Sequence, residues 1–215
     1  MGVLGMKLGW SRTDGNTLTG LLGLAFAIEG LFGVLIPALH IAGLTSTRAT
    51  REVGVSGVAQ QLAEGGASGA AQPIAEGGGM TLSAAESATL TVADPSLGQR
   101  VLLDLPTLFD AVPILLGLYL LFLVARTFST GDPFEPRNPR RIFAISILIA
   151  LGSLGDGLLT ALTNHFLVVG TPLEQQVPFS WHISFLPLGV AAVVAALAQA
   201  FRVGVRLRAD TEGLV

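Results

Sequence analysis

The chain has 215 residues, of which 51% are hydrophobic and only 13% charged, with a formal net charge of −3. A soluble domain carries about 25% charged residues, so the composition excludes a mostly disordered chain and a nucleic-acid binder held by bulk positive charge. It points instead to a polytopic membrane protein. There is no cysteine, which removes disulfides, thiolate metal sites and cysteine nucleophiles.

Taken in chain order, residues 1–16 form a short polar N-terminus and residues 17–41 the first apolar span, interrupted by one charge, Glu29. About 20 helical residues cross a bilayer core of about 30 Å. This span is too long for a signal peptide, and Pro37-Ala-Leu-His40 offers no small-x-small cleavage pattern, so it reads as a retained anchor. Residues 42–104 form an outer segment. Arg51-Glu-Val-Gly-Val-Ser-Gly-Val58 and Ala88-Thr-Leu-Thr-Val92 alternate as half-exposed strands do. Arg100-Val-Leu-Leu-Asp104 reads as a returning strand, and the Gly/Ala-rich stretches Ala63–Ala71 and Ala75–Gly78 as a flexible tip.

The second span covers residues 105–126, with Asp110 near its start, and residues 127–141 make an arginine-rich loop. The third span, residues 142–169, carries Asp156 and His165; a turn over residues 170–182 leads to the fourth span, residues 183–201, and to a tail over residues 202–215. Nine of the twelve basic residues lie in the N-terminus, at the end of the second span (Arg126), in the 127–141 loop and in the tail. The positive-inside rule therefore places both termini and that loop in the cytoplasm. The expected fold is all-α transmembrane: a four-helix bundle in the cytoplasmic (inner) membrane, with a small extracytoplasmic β-rich segment between spans one and two.

Polar groups inside the spans are the first candidates for function. Ser146, Ser153, Asp156, Thr160, Thr163 and Asn164 fall on one face of the third span at 3.6 residues per turn. Lipid cannot satisfy such groups, so the stripe faces other helices or a wet cavity. Small residues, Gly152, Gly155 and Gly157, surround Asp156 and permit close helix approach. Glu29 and Asp156 both fall near the midplane, and apart from Arg126 at the cytoplasmic end of the second span no Lys or Arg lies within a span. Two ionised carboxylates there would be costly, so Asp156 is expected to keep a proton at neutral pH. Two readings stand: a neutral carboxylic acid that ties helices together, or a proton- or cation-handling site.

His40, Asp110, His165 and His182 form a second candidate group near the outer face. Imidazole and carboxylate suit zinc or copper. Each residue comes from a different span, however, so no ligand spacing can be read, and whether a metal binds is open. No nucleophile-elbow, zinc-protease or phosphate-loop pattern is present. No catalytic residue is assigned and no cofactor is expected.

The third candidate is the loop motif Gly131, Pro133, Phe134, Asn138, Arg140 and Arg141. Asn138 before Pro139 is a helix start, with both arginines then at headgroup level where they can bind lipid phosphates. Gly-x-Pro-Phe, three residues, then Asn-x-Arg-Arg opening an apolar helix resembles the small bacterial four-helix membrane proteins catalogued as domain of unknown function 2975. The resemblance covers about Thr17–Leu44 loosely and Leu105–Phe201 better; the outer segment corresponds in position only. Members often follow the arginine pair with further basic residues, where this chain continues Ile142-Phe143. The resemblance implies no enzyme activity. Relatives encoded beside small helix-turn-helix regulators imply a regulatory role through a partner. The partners expected are membrane lipids, a protein at the cytoplasmic loop or outer segment, and a second copy of the chain, with no direct nucleic-acid binding. The alternative is a small proton- or cation-coupled transporter subunit using Glu29 and Asp156.

Overall fold

A computed structural model of the chain describes residues 12–45, 48–54, 72–77, 80–84, 88–130, 132, 134–181 and 183–212. The expected tip over Ala63–Ala71 lies outside the described residues, as do Gly131, Pro133 and His182. Four helical stretches are long and apolar enough to cross a membrane: Gly15–Ile41, Leu97–Phe128, Asn138–Val168 and Phe185–Thr211. Their large apolar side chains are turned outward. Leu21 is 59% exposed, Phe32 60%, Leu151 60% and Leu186 79%. In water that surface would cost roughly 25 cal/mol per Å²; against lipid tails it costs nothing.

The first stretch is α1 (Arg12–Glu29), a π-helical turn (Gly30–Leu35) and α2 (Ile36–Ile41). Pro37 lacks an N–H and its ring crowds the carbonyl four residues back, that of Gly33. The wider π turn directly ahead of it accommodates both defects. Gly43, at φ 77°, closes α2, and Leu44 N–H donates to the Leu39 carbonyl at 3.0 Å, a left-handed helix stop. The remaining long helices are α3 (Leu97–Ser129), α4 (Asn138–Val168) and α5 (Phe185–Glu212).

Between α2 and α3 lie β1 (Arg48–Val53), β2 (Gln72–Gly77), β3 (Met80–Ala84) and β4 (Ala88–Ala93). They form one antiparallel sheet in the order β1-β4-β3-β2. Two local expectations are corrected. Ala75–Gly77, read as part of a mobile tip, is strand. Arg100–Asp104, read as a returning strand, is the second turn of α3. The reason is a capping box: Ser96 N–H donates to Gln99 Oε1 at 2.9 Å, and Gln99 N–H donates to Ser96 Oγ at 3.4 Å. That reciprocal pair starts a helix at Leu97 and carries the apolar Val101-Leu-Leu103 run into it.

The chain falls into two compact units. One comprises Met1–Gly30, Val112–Leu151 and Phe185–Val215; the other comprises Leu31–Ala111 and Gly152–Ser184. The second unit has the tightest core. Val53 of β1 and Leu90 and Val92 of β4 pack with Leu167 and Val168 of α4 and with Leu173 and Val177 of the following turn. Leu102 and Leu103 of α3 pack against this cluster. In the same unit Phe109 of α3 lies over Gly155 of α4, filling the space a β-carbon would take. That is the close approach the glycines around Asp156 foreshadow.

Candidate functional site

The polar site of the second unit is built from β1 inward. Side chains alternate along a strand, so Arg51 shares a face with Val53, and its register partner is the fully buried Leu90. Arg51 thus enters from the apolar face of the sheet. Its Nη1 donates to the Thr163 Oγ1 of α4 at 3.0 Å and to the Leu102 carbonyl of α3 at 3.1 Å. Burial pushes the guanidinium below its ordinary value by more than the charges of Asp156 and then Asp104 raise it. A cation held in a half-buried site by two hydrogen-bond acceptors, within electrostatic range of two carboxylates, is the main electrostatic feature of this unit.

Asp156 sits on the same ladder. Thr160 Oγ1 donates to Asp156 Oδ1 at 3.2 Å, and Thr163 Oγ1 donates to the Thr160 carbonyl at 3.2 Å while accepting from Arg51. Asp156, Thr160, Thr163 and Arg51 therefore form one polar path up α4 to the sheet. The positive charge that the spans themselves do not bring to Asp156 comes within electrostatic range from the outer segment, as Arg51. Ser153, lower on the stripe, donates to the Ser184 carbonyl at 3.4 Å. Asn164 Oδ1 is buried with no hydrogen-bond partner among the described residues. Glu29 belongs to the other unit, where it ends α1 just before the π turn, half-buried.

The outer histidines have separate surroundings. His40 Nδ1 pairs with Asp104 Oδ2 at 2.5 Å, and His40 Nε2 is buried without a partner among the described residues. His165 lies edge-on to Phe179, ring centroids 6.3 Å apart. Asp110 is half-buried in α3. Among the described residues, no group of three or more histidine, cysteine or acidic side chains is placed to hold a metal ion.

The loop motif belongs to the first unit. Asn138 is completely buried; its Nδ2 donates to Thr127 Oγ1 at 2.7 Å, and Thr127 in turn donates to the Val124 carbonyl at 2.6 Å. Arg141 Nη1 donates to Asn138 Oδ1 at 3.0 Å and pairs with Glu135 Oε2 at 3.3 Å. Phe134 rests on α5, its ring over Gly204 and 6.1 Å from that of Phe201. Asp132 pairs with Arg208 of α5. Arg140 and Arg141, expected to act alike at the headgroups, are divided by this geometry: Arg141 turns inward as a brace and Arg140 is exposed. Sequence reading missed Arg51 and Asp104, and both carried a signal. Arg51 has the same strand parity as Val53, and Asp104 lies one helical turn from Arg100 behind the Ser96 capping box.

Four outward-apolar helices joined to a small sheet define a multi-pass membrane protein. The chain belongs to the family described as Protein of unknown function (DUF2975), whose model matches residues 85–215. The match takes in β4, α3, the loop motif, α4 and α5. No curated protein and no solved structure matches the chain.

Proposed function

We propose that this chain is a non-enzymatic sensor or regulatory subunit of the cytoplasmic membrane. Its four helices form a bundle with both termini and the 127–141 loop in the cytoplasm, and its sheet is an extracytoplasmic cap. The observation that carries the reading is Arg51: a residue of β1 that bonds Thr163 on the helical stripe and comes within electrostatic range of Asp156. A ligand or partner that shifts β1 must either take Arg51 with it or break its bond to Thr163 and withdraw its charge from Asp156. Such a latch converts a change at the cap into a change on α3 and α4, each of which contributes to both compact units. The braced loop between those helices is the natural surface for a cytoplasmic partner.

Proton- or cation-coupled transport through Asp156 is the weaker alternative, because a fixed guanidinium already supplies the positive charge that a transported ion would bring. Orientation is tested by labelling Ser68→Cys and Ser129→Cys separately in a chain that otherwise has no cysteine. An impermeant reagent should reach the first in intact cells and the second only after lysis. Function is tested by photo-crosslinking from position 129 in the full chain. The sensor reading expects one soluble partner, captured several-fold differently when Arg51→Gln is introduced. Cation uptake that disappears in Asp156→Asn, with no soluble partner captured, would favour the transporter.

A further inference from the structure

In the first unit, α4 and α5 enclose a cavity of about 600 Å³ whose lining changes character along its length. Ala195 and Ala198 of α5 and Phe143 of α4 line one part; Arg140, Arg202 and Arg206 line the other. On α5 these residues recur at helical spacing, so a single face passes from small apolar to cationic over about 10 Å, seven residues at 1.5 Å each. The change coincides with the end of the apolar stretch at Phe201 and with the first turn of α4. It therefore falls where hydrocarbon gives way to headgroups. Small alanines leave room beside the helix, and Phe143 is 52% exposed.

Charge is the second observation. Of the nearby carboxylates, Asp132 is committed to Arg208 and Glu135 to Arg141 and Arg137, and Asp210, one turn beyond Arg206 on α5, forms no ion pair with it. Among the described residues, Arg140, Arg202 and Arg206 have no ion-pair partner. Three guanidiniums around one cavity repel one another unless an anion lies between them, and their planar donors match phosphate oxygens. We propose that this cavity is a binding site for an anionic phospholipid. The phosphate is held by Arg140, Arg202 and Arg206, and the upper acyl segment lies along Phe143, Ala195 and Ala198. The apolar part formed by Phe143, Ala195 and Ala198 selects a lipid over a free phosphate, which would use only the polar end of Gln199 and the arginines. This site stands apart from the Arg51 latch and does not depend on it.

The test uses the full chain purified in mild detergent, with phosphatidylglycerol, phosphatidylcholine or inorganic phosphate added, read by native mass spectrometry and by thermal unfolding. Phosphatidylglycerol should be retained and should raise the midpoint, with phosphatidylcholine and phosphate doing neither at equal concentration. Each arginine replaced by glutamine should weaken retention about fivefold, and the triple variant Arg140→Gln, Arg202→Gln, Arg206→Gln on the order of 100-fold. Arg137→Gln, outside the cavity, should leave retention unchanged. Because the triple variant spares the Asn138–Thr127 brace, its lipid-free midpoint should match that of the parent chain. Equal retention of phosphatidylcholine, stabilisation by phosphate alone, or retention undiminished in the triple variant would each overturn the proposal.

Discussion

Asn138 offers the most quantitative test of the loop. Its side chain is fully buried and its bonds include two of different strength, a neutral one to Thr127 at 2.7 Å and a charge-assisted one from Arg141 at 3.0 Å. A neutral hydrogen bond contributes about 1 kcal/mol net and one to a charged group about 1.5–3 kcal/mol. Asn138→Ala removes both and leaves a small cavity, whereas Arg141 keeps Glu135. The expected loss is about 2–4 kcal/mol. Thr127→Ala removes the weaker bond together with the threonine's own bond to the Val124 carbonyl, and should cost about 1–2 kcal/mol. The two changes share one bond, so the double variant should cost about 1 kcal/mol less than the sum of the single variants. Equilibrium unfolding of the full chain in mixed detergent, followed by circular dichroism, measures all three. Strict additivity, or an Asn138→Ala loss below about 0.5 kcal/mol, would refute the idea that this pair ties α3 to the start of α4.

Two further substitutions probe packing. Phe134→Ala strips the contact with Phe201 and Gly204 and should open the loop to protease with the spans intact; unchanged cleavage would mean the ring holds nothing. Gly155→Leu drives a side chain into Phe109 and should destabilise by about 1–3 kcal/mol, partly recovered by adding Phe109→Ala; full stability of Gly155→Leu alone would show that α3 and α4 do not approach there.

The helices were legible because apolar runs of this length have few alternatives, and the proline and arginines between them punctuate the chain. The strand at Ala88–Val92 was legible from its two-residue period, with Leu90 and Val92 buried as that period requires. The segment Arg100–Asp104 was not, because a short apolar run fits either helix or strand. What decides it is the Ser96–Gln99 pair three residues apart, a signal present in the sequence but outranked by the expectation of a β-rich cap. The polar stripe on α4 followed from helical spacing, and Asp156, Thr160 and Thr163 do form a ladder. Its counter-charge did not follow. Arg51 is over 100 residues away in the chain, and only the antiparallel register that seats β1 on β4 brings it to α4. Long-range pairing of that kind has no local signature beyond the strand parity of a single arginine.

The latch itself is measured most directly by a double-mutant cycle of Arg51→Met and Asp156→Asn in the full chain. Asp156 lies seven residues from Thr163, about 10 Å along the helix axis, and Thr163 Oγ1 accepts from the Arg51 guanidinium. At a separation of about 10 Å and an effective dielectric of about 20, opposite unit charges attract by about 1.7 kcal/mol. The account predicts that Arg51→Met alone destabilises more than Asp156→Asn, and that the pair shows a coupling of about 1–2 kcal/mol. Additivity within about 0.3 kcal/mol would contradict it, leaving Arg51 as a local prop of the sheet with no hold on the intramembrane carboxylate.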